Sequence, residues 1–161
     1  MEEVDWLKLM LTTELELRPP STTRSEQKTL RGNTVKLYDD DDKIIAYAEM
    51  RKVGSHVEIS TVLVDPKYRG KGYGRQLIKQ ALQQMDGEKI LCITKNPSMA
   101  KVLQNLDFSI SKWLGFHTFF AICYNTIKRF FSMLVRLDVK RIWYQAKGIH
   151  RYDMFVINQK L

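Results

Sequence analysis

The fold is decided by residues 64–74, which read VDPKYRGKGYG and join an apolar segment to an amphipathic one. Glycine recurs at every second position of the last five residues, so the backbone there can adopt conformations that other residues avoid and can approach a ligand closely. Backbone N–H groups can then converge on an anion, helped by the positive end of the following helix. The stretch therefore predicts an anion-binding nest between a strand and a helix.

Two common glycine-rich motifs are excluded by the spacing of this loop. Position 75 is Arg, where a dinucleotide-binding fingerprint has its last glycine, and no Gly-Lys-Ser/Thr follows, as a P-loop requires. The cationic side chains of Arg69, Lys71 and Arg75 surround the glycines instead. A plain nest for a phosphate or pyrophosphate group is the reading that remains.

Composition sets the outer limits of the protein. A chain of 161 residues with 44% apolar residues suits one domain with a proper core, spanning residues 1–161. Cys92 and Cys123 lie in apolar surroundings, which predicts two core thiols and no disulfide framework. Because the first residues are acidic and lack the pattern of a signal peptide, we expect a cytoplasmic protein.

The net charge of +8 is unevenly distributed. Residues 1–111 hold 17 Lys and Arg against 16 Asp and Glu, whereas residues 112–161 hold 9 against 2. The basic C-terminal part permits an acidic partner. No nucleic-acid-reading motif accompanies it, so no specific nucleic-acid binding is expected.

Apolar periodicity and turn residues place the other elements around the loop. Residues 56–64 form the strand before the loop, and the helix after it runs to about 85. Further strands are expected at 35–38, 44–50 and 89–94, with a closing hairpin of strands at 139–145 and 149–158. Helices are expected at 3–11, at 23–30 and from Asn96 to about 106.

Residues 113–137 carry aromatic and aliphatic side chains at three- and four-residue steps, which predicts a long amphipathic helix with a break near Gly115. Its nearly apolar run contains His117 and Asn125 and falls short of a membrane span. The stripe suits packing on its own domain, on a second subunit or on a partner protein. Contact with a membrane surface is the less favoured reading.

The order of strand, Arg-Gly-x-Gly-x-Gly loop and helix, then strand and helix, resembles the acetyl-CoA-binding region of the GNAT superfamily of N-acetyltransferases. The resemblance covers residues 35–108 closely and 139–161 more loosely. It implies an α/β fold with a mixed, mostly antiparallel sheet flanked by helices. The helix at 113–138 is then an insertion before the C-terminal hairpin, where it can form one wall of the acceptor pocket.

This resemblance implies acetyl-CoA, or another acyl-CoA, as the co-substrate. Backbone N–H groups of the loop would bind the pyrophosphate, the strand end would pair with the pantetheine arm and polarise the thioester, and a helix-start asparagine would lie near the pantetheine. The cofactor-binding residues expected on this basis are Leu63, Val64, Arg69, Gly70, Lys71, Gly72, Tyr73, Gly74, Arg75 and Asn96.

Acyl transfer needs a neutral amine, so a base must accept its proton. Glu58 lies eleven residues before Arg69, the spacing at which the histone-acetyltransferase branch carries its glutamate base, and the resemblance implies that role here. A surface ion pair or a substrate contact is the alternative. The family's usual tyrosine acid falls on Leu103, which leaves Tyr73, Tyr144 or Tyr152 as substitutes, or departure of the thiolate without a dedicated acid.

Two functions fit these residues. The first is acetyl transfer by direct attack of a primary amine of a small molecule or protein, and the second is a non-catalytic acyl-CoA sensor that acts through its basic C-terminal helix. A metal site is not expected, because His56, His117 and His150 have no metal-ligand spacing. The acceptor depends on variable segments and cannot be read from the donor loop.

Overall fold

The structure is a computed structural model that describes residues 2–148 and 151–158. A 3-10 turn, Pro66–Tyr68, precedes the third helix. The described elements are, in chain order, α1 (Glu3–Thr13), α2 (Thr23–Leu30), β1 (Thr34–Tyr38), β2 (Ile44–Val53), β3 (His56–Val64), α3 (Tyr73–Gln84), β4 (Lys89–Thr94), α4 (Pro97–Gln104), β5 (Ser109–Ile110), α5 (Phe116–Val135), α6 (Val139–Lys147) and β6 (Asp153–Asn158).

The strands form one sheet in the order β1-β2-β3-β4-β6-β5. The β3 and β4 strands run parallel, and every other neighbouring pair is antiparallel. This confirms the predicted mixed, mostly antiparallel sheet flanked by helices. The short strand β5 was not predicted, because two residues are too few for a periodic pattern to show.

The sheet opens between β3 and β4. These strands pair only at Val57 with Ile90 and at Glu58 with Leu91, after which no further partners are found along the described strands. On the other side of β3, Met50 pairs with Ile59 and Glu49 with Thr61, so Ser60 is the extra residue of a β-bulge. A bulge bends its strand and increases the twist. The opening therefore begins beside the bulge.

Apolar residues cover both faces of the sheet. On one face α3 and α4 pack on the central strands in the main core, in which Leu77, Ile78 and Leu103 are fully buried. On the other face α1 packs on β2 and β3, with Leu7 and Tyr47 fully buried in a second cluster. The β3 strand is thus held between two packed layers, whereas β4 adds Ile90 and Cys92 to the main core.

The predicted strand at 139–145 is wrong, since these residues belong to helix α6. The Asp138 side chain accepts a hydrogen bond from the backbone N–H of Arg141, and Gly148 ends the helix. Arg141 and Gln145, four residues apart, are the buried side chains of its inner face. The final strand begins at Asp153, and residues 149 and 150 of the predicted strand lie outside the described residues.

Helix α5 confirms the predicted long helix, with Gly115 at its N-cap rather than inside it. Its apolar stripe is largely uncovered: Phe116 and Ile127 are 72% and 68% exposed, and Phe120, Phe131 and Leu134 are similarly open. The prediction that this stripe packs on its own domain is therefore wrong for these side chains. None of the helices in the described ranges combines the length and apolarity needed to cross a membrane.

Candidate functional site

Two adjoining cavities open where β3 and β4 diverge. The larger has a volume of about 640 Å³ and extends to the glycine loop, and the smaller has a volume of about 290 Å³ and extends under α5. Five residues line both cavities: Glu16, Leu17, Ser60, Ile93 and Thr94. Groups bound in the two cavities would therefore meet between the bulge of β3 and the end of β4.

The glycine loop forms one wall of the larger cavity. Gly70 and Gly72 have φ values of 77° and 86°, in the left-handed region that favours glycine. Gly72 is also the N-cap of α3, so the first N–H groups of that helix are available at the cavity wall. A Cβ added to any of the loop's three glycines would meet no atom within 4 Å. The loop leaves space for an anion against its backbone.

The structure brings nearly all of the predicted cofactor-binding residues to this cavity. Lys71 is the exception, because it does not line either cavity and its Nζ lies 5.2 Å from the centroid of the Tyr68 ring. The predicted residues that line the larger cavity are Leu63, Val64, Arg69, Gly70, Gly72, Tyr73, Gly74, Arg75 and Asn96.

Arg69 connects the loop to the strand before it. Its Nε donates a 3.1 Å hydrogen bond to the carbonyl oxygen of Val64, and its Nη2 is paired with the carboxylate of Glu14. The neighbouring Tyr68 hydroxyl donates to Oδ2 of Asp39 at 2.9 Å. These contacts fix the loop against β3 and the β1–β2 turn, so its N–H groups are positioned before any ligand arrives.

Asn96 has a structural contact of its own at the start of α4. Its Oδ1 accepts hydrogen bonds from the backbone N–H groups of Ser98 and Met99 at 2.9 and 3.3 Å. This is an N-cap, which satisfies two of the free donors of the helix. Met99 and Val102 of the same helix line the larger cavity and make that part of the wall apolar.

Glu58 lines the smaller cavity, two residues before the bulge. It is buried, and Arg51, its cross-strand partner on β2, donates from Nε to Oε2 at 2.9 Å. Its other oxygen, Oε1, has no hydrogen-bond partner within the described ranges. The arginine compensates the buried charge on one side, and Oε1 is left to contact a ligand.

Arg18 ties the loop between α1 and α2 to the body of the domain. Its Nη1 and Nη2 donate to the two oxygens of Glu26, each at 2.7 Å, and its Nε donates to Glu49 at 3.3 Å. Burial alone would raise the pKa of Glu26, but the hydrogen bonds from Arg18 and the backbone N–H of Ser21 outweigh it and lower that pKa. The pair therefore stays ionised and holds the loop that both cavities share.

Arg129 enters the smaller cavity from α5. Its Nη2 donates to the carbonyl oxygen of Glu16 at 2.6 Å, which connects the inserted helix to the same loop. Burial is the main cause of its lowered pKa, and the positive charges of Arg51 and Arg141 act in the same direction. Tyr152 and Glu58 act in the opposite direction. A half-buried cation thus lies in the field of Glu58.

The tyrosines named as substitutes for the missing acid differ in position. Tyr73 lines the larger cavity and Tyr152 the smaller one, and burial raises the pKa of Tyr152. Tyr144 lines neither cavity and donates its hydroxyl to Glu16 at 3.3 Å. Leu103 is fully buried in the main core, so α4 brings no phenol to the cavity at that position.

Cys92 lines the larger cavity from β4, and the structure confirms it as a buried core residue. Burial, followed by the charge of Glu58, raises its thiol pKa to about 12. It is therefore a neutral thiol near neutral pH and a poor nucleophile. Within the described residues no three His, Cys, Asp or Glu side chains are grouped so that they could hold a metal ion; His150 lies outside the described residues.

Sequence reasoning missed most of the smaller cavity. Its walls come from the loop after α1, from β2, β3 and the end of β4, and from a face of α5 that mixes polar and apolar side chains, elements that are distant in the chain. One signal was present: Asn125 and Arg129 lie four residues apart on α5, away from the exposed aromatic residues. A polar stripe on a helix that also has an apolar face can indicate a cavity wall.

Among the solved structures that share this fold are the following three. A phosphinothricin acetyltransferase from Sinorhizobium meliloti, solved with AcCoA, is 17% identical with a TM-score of 0.57 over 67% of this chain and 70% of that one. The Rv2747 protein from Mycobacterium tuberculosis, solved with CoA, is 15% identical with a TM-score of 0.65 over 97% and 93%. N-acetylglutamate synthase from Neisseria gonorrhoeae, solved with coenzyme A and N-acetyl-glutamate, is 13% identical with a TM-score of 0.64 over 100% and 34%.

At these identities the structural likenesses show the fold alone. Comparison with curated protein sequences finds no match. The family model for the acetyltransferase (GNAT) family matches residues 3–108, which include the strand, the glycine loop and both helices of the larger cavity. Since that match covers more than half of the chain, the protein belongs to the acetyltransferase (GNAT) family.

Proposed function

We propose that this protein is an N-acetyltransferase that moves the acetyl group of acetyl-CoA to a primary amine by direct attack. The observation that carries the proposal is the meeting of the two cavities at Ser60, Ile93 and Thr94, with the glycine loop at the far end of one and Glu58 in the other. Binding two reactants side by side in a fixed geometry supplies a large part of the barrier reduction in such reactions.

Acetyl-CoA is the co-substrate expected for a member of this family, and the larger cavity suits it. The pyrophosphate would bind the N–H groups of residues 69–74 and the N-terminus of α3, with Arg75 nearby. The pantetheine arm would run along the free edge of β3 at Leu63 and Val64, where β4 has moved away. A backbone N–H of β3 that donates to the thioester oxygen would stabilise the charge that develops there.

The amine would enter from the smaller cavity. Oε1 of Glu58 accepts a proton from the ammonium, directly or through water, and the neutral nitrogen attacks the thioester carbon. The nitrogen of the tetrahedral intermediate loses its surplus proton to water, the C–S bond breaks, and CoA leaves as a thiolate. Tyr73 and Tyr152 line the two cavities and are the groups from which this thiolate could take a proton.

One observation favours a second function, an acyl-CoA sensor that transfers nothing. Leu103 is apolar and buried where the family commonly has an acidic phenol, and the aromatic residues of α5 are uncovered. In this case the larger cavity would bind acyl-CoA, and α5 would contact a second subunit or a partner protein. The two functions differ in one measurable respect, the release of free CoA thiol.

The test is a thiol-release assay with acetyl-CoA and a panel of primary amines, applied to the wild type and to Glu58→Gln. We expect an amine-dependent release that falls by about a hundredfold or more in Glu58→Gln, since a positioned base contributes roughly that factor. Calorimetry should give the same CoA affinity for both proteins. Glu49→Gln is the matched control, because Glu49 also pairs with an arginine but lines neither cavity.

Two outcomes would overturn parts of the proposal. Unchanged turnover of Glu58→Gln at every pH would remove Glu58 from the mechanism. Tight CoA binding with no thiol release across polyamines, amino acids, aminoglycosides and lysine peptides would favour the sensor.

A further inference from the structure

The smaller cavity contains more positive than negative groups. Four cationic side chains line it, and three of them have a carboxylate partner within 4 Å. The pairs are Arg18 with Glu26 at 2.7 Å, Arg51 with Glu58 at 2.9 Å and Lys95 with Glu16 at 3.6 Å. Arg129 is the fourth, and within residues 2–148 and 151–158 it has no ion pair.

Arg129 also has an incomplete set of hydrogen bonds. One donor, Nη2, contacts the carbonyl oxygen of Glu16 at 2.6 Å. Its Nε is inaccessible to solvent and has no partner, and it is the one buried side-chain nitrogen or oxygen in that state in the described part of the chain. A buried donor on a charged group is costly to leave unsatisfied. Nη1 has no hydrogen-bond partner in the described residues and, unlike Nε, is not closed off from solvent, so an anionic ligand in the cavity would supply the missing charge and an acceptor for Nη1.

We propose that the amine acceptor carries a carboxylate and that Arg129 binds it, an inference that rests on the proposed acetyl transfer. Arg129 and Glu58 line the same cavity of about 290 Å³, and their charges interact. A small amino carboxylate fits this pair, with its ammonium group at Oε1 of Glu58 and its carboxylate at the guanidinium. The planar guanidinium matches a carboxylate through two parallel hydrogen bonds.

The lack of an ion pair at Arg129 selects a free amino acid or a similarly small amino carboxylate as the acceptor. One unpaired cation matches one carboxylate, whereas a polyamine would add positive charge beside Arg129. The N-terminus of a polypeptide has an uncharged amide where a free amino acid has its carboxylate, and a lysine side chain presents its amine at the end of four methylene groups with no carboxylate beside it. None of these acceptors would bring a negative charge to the Arg129 guanidinium.

The first test needs no variant. The protein saturated with CoA is titrated by calorimetry with the proteinogenic L-amino acids and with the α-carboxamide of each, and thiol release from acetyl-CoA is measured for the same compounds and for spermidine. We expect at least one amino acid to bind and to be acetylated, and its carboxamide to bind roughly 10- to 100-fold more weakly. Equal or better use of carboxamides or spermidine would overturn the inference.

The second test assigns the discrimination to Arg129. Arg129→Met should lose the preference for the carboxylate over the carboxamide, with CoA affinity unchanged, and Arg129→Lys should keep part of it. Arg136→Met is the matched control, because Arg136 follows the same helix and donates to a backbone carbonyl, of Pro20, without lining either cavity. A merely structural Arg129 would weaken carboxylate and carboxamide equally, and that result would contradict the assignment.

Failure of the two proposals can be told apart. If amino acids bind the CoA-loaded protein in an Arg129-dependent way but no amine releases thiol, acetyl transfer is wrong and the carboxylate site stands. If spermidine or a lysine peptide releases thiol while amino acids neither bind nor react, the reverse holds. Should Arg129→Met fail to fold, the comparison of carboxylate with carboxamide in the wild type still decides.

Discussion

Gly72 and Gly74 lie two residues apart in the loop and differ in the backbone conformation they need. Gly72 has φ of 86°, whereas Gly74 lies within the first turn of α3 and has an ordinary negative φ. Alanine at 72 is therefore strained by about 1–2 kcal/mol. Alanine at 74 should fold as well as glycine or slightly better, because glycine within a helix is less favourable by roughly 0.5–1 kcal/mol.

We predict that Gly72→Ala lowers the free energy of unfolding and weakens CoA binding, whereas Gly74→Ala weakens CoA binding alone. The methyl group added by Gly74→Ala would lie at the wall of the larger cavity, where nothing in the protein stands within 4 Å of it. Urea unfolding and calorimetry with CoA measure the two effects separately. If Gly74→Ala binds CoA as the wild type does, the pyrophosphate does not approach this part of the loop.

The residues that could be predicted from the sequence are those whose role depends on near neighbours. The glycine loop, the strand before it and the helix after it are contiguous, so spacing and turn chemistry were enough to place Gly70, Gly72 and Arg69 at one cavity. Glu58 was named through the family resemblance, from its position eleven residues before Arg69. Its partner Arg51 was not, because the strand expected at 44–50 ends before it, whereas the observed β2 continues to Val53 and pairs Arg51 with Glu58.

At the scale of elements, His56, the first residue of β3, connects the start of that strand to α5. Nδ1 of His56 lies 3.0 Å from Oγ1 of Thr118 and 3.2 Å from Oγ of Ser55. Burial, followed by the charge of Lys89, lowers the pKa of His56 below its usual 6.5. The neutral form is therefore the one that the folded state prefers.

We predict that the free energy of unfolding decreases as the pH falls below about 6.5. Above about 6.5 His56 is neutral in both states, so its contribution is complete; below that value the unfolded chain binds a proton first, and stability decreases until the folded-state pKa is passed. Urea unfolding between about pH 8 and 5 should show this decrease, and His56→Asn should show a smaller one. An identical pH dependence in His56→Asn would contradict the assignment.

Helix α6 holds the loop shared by the two cavities. The Arg141 guanidinium donates to the carbonyl oxygens of Leu11, Glu14 and Leu17 at 2.9, 3.0 and 2.8 Å. Gln145 adds hydrogen bonds to the carbonyls of Leu15 and Leu17. Buried carbonyls left without donors are costly, so the loop geometry depends on this helix.

We predict that Arg141→Met destabilises the protein by about 3 kcal/mol or more, since removing a buried charged partner commonly has that effect. Arg141→Lys should give an intermediate loss, because one ammonium cannot reach all of the carbonyls. Urea unfolding measures both, and limited proteolysis would show whether residues 14–18 become accessible. The exposed neighbour Lys140, changed to Met, is the control; equal loss in both variants would mean that the carbonyl contacts matter little.

The prediction for α6 failed because the side chain pattern of residues 139–145 fits a strand as well as a helix. Residues 139–145 contain β-branched and aromatic side chains that suit a strand, and a strand was expected there from the family resemblance. The N-cap at Asp138 and the glycine at 148 indicate a helix, and the buried Arg141 and Gln145 give its inner face a polar character that apolar periodicity does not detect.

At the scale of the whole molecule, the site is assembled from segments that no local rule connects. The smaller cavity takes Glu16 from the loop after α1, Glu58 from β3 and Arg129 from α5. Their meeting depends on the bulge at Ser60, on the divergence of β3 and β4 and on the docking of α5. The walls of the larger cavity could therefore be predicted from the sequence, whereas most of those of the smaller cavity required the tertiary structure.

The two cavities also predict that the proposed transfer takes place in a complex of the protein with both substrates. Because they adjoin at Ser60, Ile93 and Thr94, the proposed reaction can proceed with both substrates bound together. The acetyl group can then pass to the amine without a covalent acetyl-enzyme intermediate. Cys92 is the thiol that lines the larger cavity, and its pKa of about 12 leaves it protonated near neutral pH.

We therefore predict intersecting lines in initial-rate plots against both substrates, and no gain of an acetyl group by the protein when acetyl-CoA is supplied without an amine, as judged by mass spectrometry. Cys92→Ala should retain turnover within a few-fold, with a stability loss of about 1 kcal/mol from the smaller buried side chain. Parallel lines, together with an acetylated Cys92 and an inactive Cys92→Ala, would replace direct attack with a two-step transfer. Because direct attack needs both cavities filled at once, the acceptor should also bind to the CoA-loaded protein without displacing CoA.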